Sequence, residues 1–324
     1  MGDRSYAFHY DQLMDMDLKT VPWARRLKLR HLETFLVLED AGSITAAAER
    51  MHMTQPAVSH WLADIEGVIG SPLFVRGRKL KLTPAGEILR RHAERMLGDV
   101  HRVDAELQAV RSGLVGRLKV GCIHSAALAL VPQAIIALQK THPRVVVGVE
   151  EGTMVDLLDR LDKREFDLLV GTIDVRAHQY GFLTEVLMED VVRIVCRADH
   201  PLARKRKPTW KEAAEYSWVL PPKESLSRVR VEEAFAQQRV ALPNPCVETA
   251  SVASIQAHLR ETDCLAPLTG LVADFYTSMK LLSRVSLTPV SRFAELGMIW
   301  SDPSPNVLLS ELVVSLRGHS RGSS

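Results

Sequence analysis

The sequence is poor in aromatic residues and has no long hydrophobic run. Phe, Trp and Tyr make up 6% of its 324 residues. No apolar stretch approaches the roughly 20 residues of a membrane-spanning helix. The first residues include Asp3, Asp11, Asp15 and Asp17 and lack the apolar segment of a secretory signal peptide. We therefore expect a cytoplasmic protein with no membrane partner.

Cysteine is also scarce. The four cysteines are Cys122, Cys196, Cys246 and Cys264, and no two of them form a CxxC pair. Each lies in an apolar, strand-like run, where thiols are usually buried and reduced. We expect four buried free thiols, no metal site and no cofactor.

Sequence motifs typical of enzymes are missing. The chain has no GxGxxG after a strand, no GxxxxGK(S/T), no GxSxG and no HExxH. An enzyme built on residues 113–324 remains an alternative, which turnover by that fragment would revive. A solute-binding transport component is a second alternative, opposed by the lack of a signal peptide. A nucleoid-type protein that binds any DNA sequence is a third.

The size and the charge distribution favour several domains, one of them basic. A chain of 324 residues is too long for one ordinary core. The net charge is only +2, but basic residues cluster locally. The cluster comprises Arg76, Arg78, Lys79, Lys81, Arg90, Arg91 and Arg95. Local patches of this kind suit phosphate binding.

Residues 30–69 have the periodicity of helices, with breaks at 41–43 and 52–54. Thr54 is a good N-cap for the helix that follows, and proline is tolerated in its first turn. The stripe predicted to be buried is Val58, Leu62, Ile65 and Ile69. The opposite face presents Gln55, Ser59 and His60, polar side chains that can reach base edges. This pattern is typical of a helix-turn-helix.

A hairpin signal at residues 73–83 is followed by a long helix that begins at Pro84. The helix carries a heptad seam of Leu89, Ala93, Met96, Val100, Val103, Leu107 and Val110. Such a seam favours a partner helix, although packing of this face on its own domain is the alternative. The segment would span about 40 Å as a dimerising linker.

From Arg117 onward, short apolar strands alternate with helices. Strands are predicted at 118–123, 145–150, 167–172, 191–197, 218–220, 246–249 and 264–266. Helices are predicted at 126–140, 154–163, 228–238 and 252–260. The alternation is typical of an α/β fold with parallel sheets and fits two subdomains better than one.

Together these residues resemble the LysR-type transcriptional regulators. The resemblance is carried by Ser43-Ile-Thr45-Ala-Ala47-Ala48, Thr54-Gln55-Pro56-Ala57-Val58-Ser59, Ile65-Glu66, Gly70-Ser-Pro-Leu73-Phe74-Val-Arg76 and Leu82-Thr83-Pro84-Ala85-Gly86. It implies an amino-terminal winged helix-turn-helix, a long coiled-coil linker helix and two α/β regulatory subdomains like periplasmic binding proteins.

The predicted divisions follow from this resemblance. They are an extension at 1–28, a DNA-binding domain at 29–83, a linker helix at 84–112 and an effector-binding domain at 113–324. Subdomain I would comprise about 117–188 and 288–318, and subdomain II about 189–287.

The resemblance also implies the partners and the DNA-contacting residues. The expected partners are double-stranded promoter DNA, a small-molecule effector and a second copy of the chain. The heptad supports a dimer, the resemblance alone implies a tetramer, and RNA polymerase is a further candidate. The DNA contacts would be Thr45, Thr54, Gln55, Pro56, Ala57, Ser59, His60, Arg76, Arg78 and Lys81. His60 stands where the family often has arginine.

Effector contacts are expected where strands end, because ligands of open α/β sheets bind at their carboxyl edges. The candidates are His124, Ser125, Thr153, Pro222, Ser225 and Pro267. The alternative to effector binding is a purely structural role, as N-caps for Ser125 and Thr153 and as a hydrogen-bonding group for His124. Lys223 could pair with an anionic effector or simply be solvated.

Overall fold

The computed structural model describes residues 23–75, 77, 79–111, 116–173, 175–223, 225–288, 292–301 and 306–320. The chain divides into two compact units, residues 1–105 and 106–324. Within the described ranges, no helix is long and apolar enough to cross a membrane.

The amino-terminal unit is a helical domain with a short hairpin. Its elements are α1 (Leu29–Ala41), α2 (Ile44–Arg50), α3 (Gln55–Ile69), β1 (Phe74–Val75), β2 (Lys81–Leu82) and α4 (Pro84–Arg111), the last of which crosses the unit boundary. The strands pair antiparallel, with Phe74 opposite Leu82. This order of three helices and a hairpin is that of a winged helix-turn-helix.

Local capping explains the two predicted breaks. Gly42 has a φ of 66° and ends α1 in the left-handed region, where glycine carries no steric penalty. The Ser43 hydroxyl then accepts the backbone N–H of Ala46 and starts α2. Thr54 caps α3 in the same way, by accepting the N–H of Ala57. Both breaks lie where the sequence predicted them.

The heptad seam serves two purposes along α4. Leu89 and Ala93 are buried in the core of the amino-terminal unit. The seam residues Met96, Val100, Val103 and Leu107 are exposed. The prediction of one uninterrupted partner-facing seam is therefore wrong for its first two positions, because they complete the domain core. The Val110 side chain lies outside the described residues.

The carboxy-terminal unit is an α/β region. Its strands are β3 (Gly116–Cys122), β4 (Val145–Glu151), β5 (Leu168–Thr172), β6 (Leu183–Arg197), β7 (Trp218–Leu220), β8 (Pro245–Glu248), β9 (Ala266–Thr269), β10 (Leu282–Val285) and β11 (Arg292–Trp300). Its helices are α5 (His124–Leu128), α6 (Leu130–Thr141), α7 (Met154–Asp162), α8 (Val175–Gln179), α9 (Trp210–Ala213), α10 (Leu226–Gln237), α11 (Val252–Glu261), α12 (Gly270–Ser278) and α13 (Val307–Ser320).

The main sheet is mixed rather than parallel. β3 pairs parallel with β4 and β5, as predicted. β11, however, lies antiparallel between β5 and β6. β6 is much longer than the predicted strand at 191–197, since its first half pairs with β11 and its second half pairs with β9 and β10. β6 therefore passes from the first α/β subdomain into the second.

Two separate hydrophobic cores lie on either side of this crossing. One surrounds β3 and β5 and the other surrounds β7 and the second half of β6. The helix predicted over 126–140 is broken at Ala129 into α5 and α6. α5 packs against α12, with Leu271 of α12 in the first core and Leu128 of α5 against a further core of the second subdomain that includes Val195, Val219 and Leu268. These two helices interlock the subdomains.

The expected burial of all four thiols is correct for three of them. Cys122, Cys196 and Cys264 are buried, whereas Cys246 is exposed. Cys246 lies on β8, which within the described residues pairs with β7 alone and so has an open edge. All four thiols are free, as expected.

Candidate DNA-binding surface and effector site

The amino-terminal turns of α3 present a polar, accessible edge. Gln55, Pro56 and His60 are exposed, and Ala57 and Ser59 are partly exposed. The opposite face packs Val58, Leu62 and Ile65 into the core, while Ile69 is only half-buried. The packed face thus anchors α3 in the core and leaves its polar edge accessible. Thr45, on the first turn of α2, and the N-cap Thr54 are exposed as well.

Hydrogen bonds brace the hairpin against the recognition helix. Oε1 of Glu66, on α3, accepts the backbone N–H groups of Leu73 at 2.7 Å and of Phe74 at 3.3 Å. At the far side of the hairpin, the Leu80 N–H donates to the Gly42 carbonyl. The sequence suggested none of these contacts, because Glu66 reads as an ordinary surface residue of an amphipathic helix.

A close backbone approach secures the base of the hairpin. The Thr83 hydroxyl donates to the Pro72 carbonyl at 2.7 Å, and the Thr83 N–H donates to the Leu73 carbonyl. A Cβ atom at Gly86 would collide with that same Leu73 oxygen. Glycine is therefore required where α4 passes the hairpin.

The basic residues around the hairpin differ in their exposure and in their ion pairing. Lys79 and Lys81 are exposed at its tip and second strand. Arg76 and Arg78 lie outside the described residues. Arg90, by contrast, is paired with Glu87 and Glu94 along α4. Arg90 therefore belongs to the helix surface rather than to a phosphate-binding patch.

In the carboxy-terminal unit, the parallel strands β3, β4 and β5 bring their carboxyl ends to one edge. His124 begins α5 directly after β3, and Glu151 ends β4. Nδ1 of His124 lies 2.9 Å from Oε1 of Glu151. The carboxylate thus orients the imidazole, since an ionised carboxylate can only accept a hydrogen bond.

The other predicted effector residues occupy different local settings. Ser125 is buried in the first turn of α5 and is not an N-cap, since Ile123 occupies that position. Thr153 is the N-cap of α7. Ser225 is the N-cap of α10, and its hydroxyl also donates to the Pro222 carbonyl at 2.8 Å. Thr153 and Ser225 therefore stabilise helix ends, whether or not they also contact an effector.

The end of β9 lies where β6 crosses between the subdomains. Pro267 is buried within the strand, opposite Ile194. Thr269 ends the strand and is the N-cap of α12, but its side chain makes no capping bond. Oδ1 of Asp190 instead accepts the Gly270 N–H at 2.8 Å. Burial raises the pKa of Asp190 above its usual value, and the backbone hydrogen bonds oppose that rise.

Among the described residues, the buried side-chain atoms that lack a hydrogen-bond partner include two at the starts of α5 and α12. They are Nε2 of His124 and Oγ1 of Thr269. His124 was predicted from sequence, whereas Thr269, Glu151 and Asp190 were not among the predicted effector contacts. His124 begins α5 and Thr269 is the N-cap of α12, and these two helices pack together across the subdomain boundary. Unpaired buried polar atoms are costly, so they mark a place where a polar ligand can bind favourably.

The comparisons with known proteins agree with both parts of this description. Residues 29–87 match the family described as "Bacterial regulatory helix-turn-helix protein, lysR family". Residues 111–319 match the family described as "LysR substrate binding domain". The chain belongs to the LysR-type transcriptional regulators, and it is a regulator rather than an enzyme.

Individual relatives support the same conclusion. The chain is 29% identical to the HTH-type transcriptional regulator GbpR of Azospirillum brasilense. This match extends over 282 residues and covers 86% of this chain and 82% of the relative. A full-length OxyR variant from Pseudomonas aeruginosa has a TM-score of 0.60 at 23% identity, covering 90% of this chain and 95% of that one. CbnR in complex with its target DNA has a TM-score of 0.60 at 17% identity, covering 92% and 100%. At these identities, the two structures show the shared fold.

Proposed function

We propose that this regulator reads promoter DNA through the first turns of α3 and responds to a small polar effector bound between its two carboxy-terminal subdomains. The DNA-reading part rests on the exposed edge of α3 and its braced hairpin. The effector part rests on the unpartnered polar atoms of His124 and Thr269.

The residues on α3 have suitable chemistry for base reading. The carboxamide of Gln55 can form a bidentate pair with adenine, and Ser59 can bond either a donor or an acceptor. His60 adds a ring with two nitrogen atoms at an exposed position. Thr45, Thr54, Pro56 and Ala57 would set the approach to the groove. Contacts to backbone phosphates would come from Arg76, Arg78 and Lys81.

The histidine–glutamate pair suggests which effector group is recognised. Nδ1 of His124 faces Glu151, so Nε2 is the ring nitrogen left to meet an effector. A hydroxyl of the effector would form a hydrogen bond with that atom. The Thr269 hydroxyl can then accept or donate to a second group. Ser125, Thr153, Pro222, Ser225 and Pro267 would complete the walls of the site.

Closure of the subdomains would be the means of response. α5 and α12 interlock across the boundary, so an effector that joins His124 to Thr269 would favour one relative position of the two cores. The change would reach the DNA-binding domain through α4. The exposed seam residues Met96, Val100, Val103 and Leu107 would hold two copies together along that helix. Tetramer formation and contact with RNA polymerase remain predictions.

DNA footprinting with and without effector candidates tests the whole proposal. Binding of the full-length protein to one promoter fragment should survive competition by bulk DNA and fall steeply with salt. Equal competition by any DNA would support a nucleoid-type protein instead. A thermal-shift screen of metabolites should find a compound that stabilises the wild type and not His124→Phe. Compounds that stabilise both proteins equally would refute the role of His124.

A further inference from the structure

Two cysteines that are distant in sequence lie side by side in the carboxy-terminal unit. Sγ of Cys246 is 3.5 Å from Sγ of Cys264. Cys246 is exposed, so one member of the pair is open to reagents, whereas Cys264 is buried beneath it. Among the described residues, this is the one pair of sulfur atoms within hydrogen-bonding distance.

An irregular strand brings the two thiols together. In the β7–β8 pair, Trp218 lies opposite Pro245, but the next residue, Val219, lies opposite Val247. Cys246 is therefore the extra residue of a β-bulge, which re-aims its side chain. Its Sγ also lies 3.2 Å from the Trp218 carbonyl oxygen.

Cys264 reaches the same place from the other side of β7. The next residue, Leu265, forms a bridge with Trp218, so Cys264 lies just before the chain joins this strand. A disulfide requires the sulfur atoms to close from 3.5 Å to about 2.0 Å. In the part of the chain that the structure describes, β8 pairs with β7 alone, so a bulged residue at this open edge can make that movement without breaking a second strand pairing.

We propose that Cys246 and Cys264 form a reversible disulfide when a hydroperoxide oxidises the exposed thiol. The Cys246 thiolate attacks the peroxide oxygen, which yields a sulfenic acid and releases water or an alcohol. The Cys264 sulfur then attacks the Cys246 sulfur, and the hydroxyl leaves as a second water after taking a proton. Two thiols lose two electrons in total, and the peroxide gains them.

The surroundings set the rate and the selectivity of this reaction. Burial, followed by the adjacent Cys264 thiol, raises the pKa of Cys246, so the thiolate is a small fraction at neutral pH. The reaction should therefore be slow near neutrality and faster as the pH rises. Burial raises the pKa of Cys122 to about 11 and that of Cys196 to about 12. Both are buried, so they serve as internal controls.

The disulfide would restrain one defined segment. It closes a ring of about 19 residues that contains α11, whose Ile255 and Leu259 share a core with Cys264. The segment also includes Thr249, whose N–H donates to the Leu220 carbonyl at the carboxyl edge of β7. For a ring of this length, the loop-closure model gives a decrease on the order of 10²-fold in the unfolding equilibrium of the segment.

Peptide mapping of the full-length protein tests the proposal directly. Trypsin should cleave after Arg239 and Arg260, which places the two cysteines on separate peptides. After hydrogen peroxide treatment and alkylation, we expect a cross-linked pair of these peptides and two remaining thiols. Dithiothreitol should restore all four thiols. Amide exchange over residues 252–261 should be slower in the oxidised form.

Matched variants separate the pair from general oxidation. Cys196→Ala removes a buried thiol of the same unit and should keep the cross-link, whereas Cys246→Ser should lose it. Overoxidation of Cys246 with Cys264 still free would overturn the proposal. So would disulfides between two chains, or no loss of thiols at about a hundredfold excess of peroxide from neutral pH to about pH 9. Neither DNA nor effector is needed, so this test and that of the proposed function fail independently.

Discussion

Glu66 should be a main determinant of the stability of the DNA-binding domain. Its Oε1 accepts two backbone N–H groups, from Leu73 and Phe74, which are both buried. Glu66→Ala would leave these two donors without a partner. Hydrogen bonds to charged groups contribute about 1.5–3 kcal/mol each, but two bonds to one oxygen are not additive, so we expect a loss of about 2–4 kcal/mol.

Differential scanning calorimetry of the full-length protein measures this loss. If the two units give separate transitions, that of the amino-terminal unit should fall by roughly 10–25 °C, since about 1 kcal/mol lowers the Tm of a domain of this size by roughly 4–8 °C. The transition of the carboxy-terminal unit should not move. The hairpin would also lose its brace, so affinity for promoter DNA should fall.

Two further variants make the argument refutable. Glu66→Gln keeps an Oε1 acceptor in the same place, so it should cost less than half as much as Glu66→Ala. Glu33→Ala is the matched control, because Glu33 is an exposed residue of α1. Equal stability of the Glu66→Ala and Glu33→Ala proteins, within about 0.5 kcal/mol, would show that the two hydrogen bonds contribute nothing measurable.

Three other perturbations test different parts of the molecule. Gln55→Ala should lose sequence preference more than non-specific affinity, whereas Lys81→Ala should weaken binding to all sequences and reduce the salt slope by about 0.9. If the two substitutions had the same effect on specific and non-specific binding in a titration, neither residue would have the role proposed for it. Val100→Lys should convert a dimer to monomers in analytical ultracentrifugation, while His101→Lys beside the seam should not; a Val100→Lys dimer would place the interface elsewhere. Asp190→Asn keeps an oxygen acceptor for the Gly270 N–H and removes the titration. Because burial raises the folded pKa of Asp190, the folded state holds this proton more tightly than the unfolded chain. The stability of the wild type relative to Asp190→Asn should therefore fall as the pH rises from about 4 through the folded pKa. A pH-independent difference in urea unfolding would contradict this.

Features that depend on neighbouring residues were predictable. Thr54 and Pro56 mark the start of the recognition helix because capping and the first turn involve only adjacent backbone groups. Gly42 marks the end of α1 for a similar reason. The periodicity of Val58, Leu62 and Ile65 then indicated which face of α3 is buried. The exposure of the opposite, polar face followed from the same local pattern.

Partners separated by long stretches of sequence were decided by the tertiary structure. Leu89 and Ala93 are the first two positions of an unbroken heptad pattern, yet both are buried in the core of the amino-terminal unit. The length of β6 depends on β9, β10 and β11, and β11 follows nearly a hundred residues later. Nothing near His124 in the chain indicates Glu151 or the unpartnered state of Nε2.

The sequence by itself therefore determined the helix-turn-helix, the exposed polar face of α3 and the α/β character of the regulatory region, because periodicity and capping depend on short stretches of sequence. Only the tertiary structure decided the bracing of the hairpin by Glu66, the mixed sheet and the meeting of Cys246 with Cys264. Each of these depends on which distant strands and helices pack together, and that choice is made by the whole core at once.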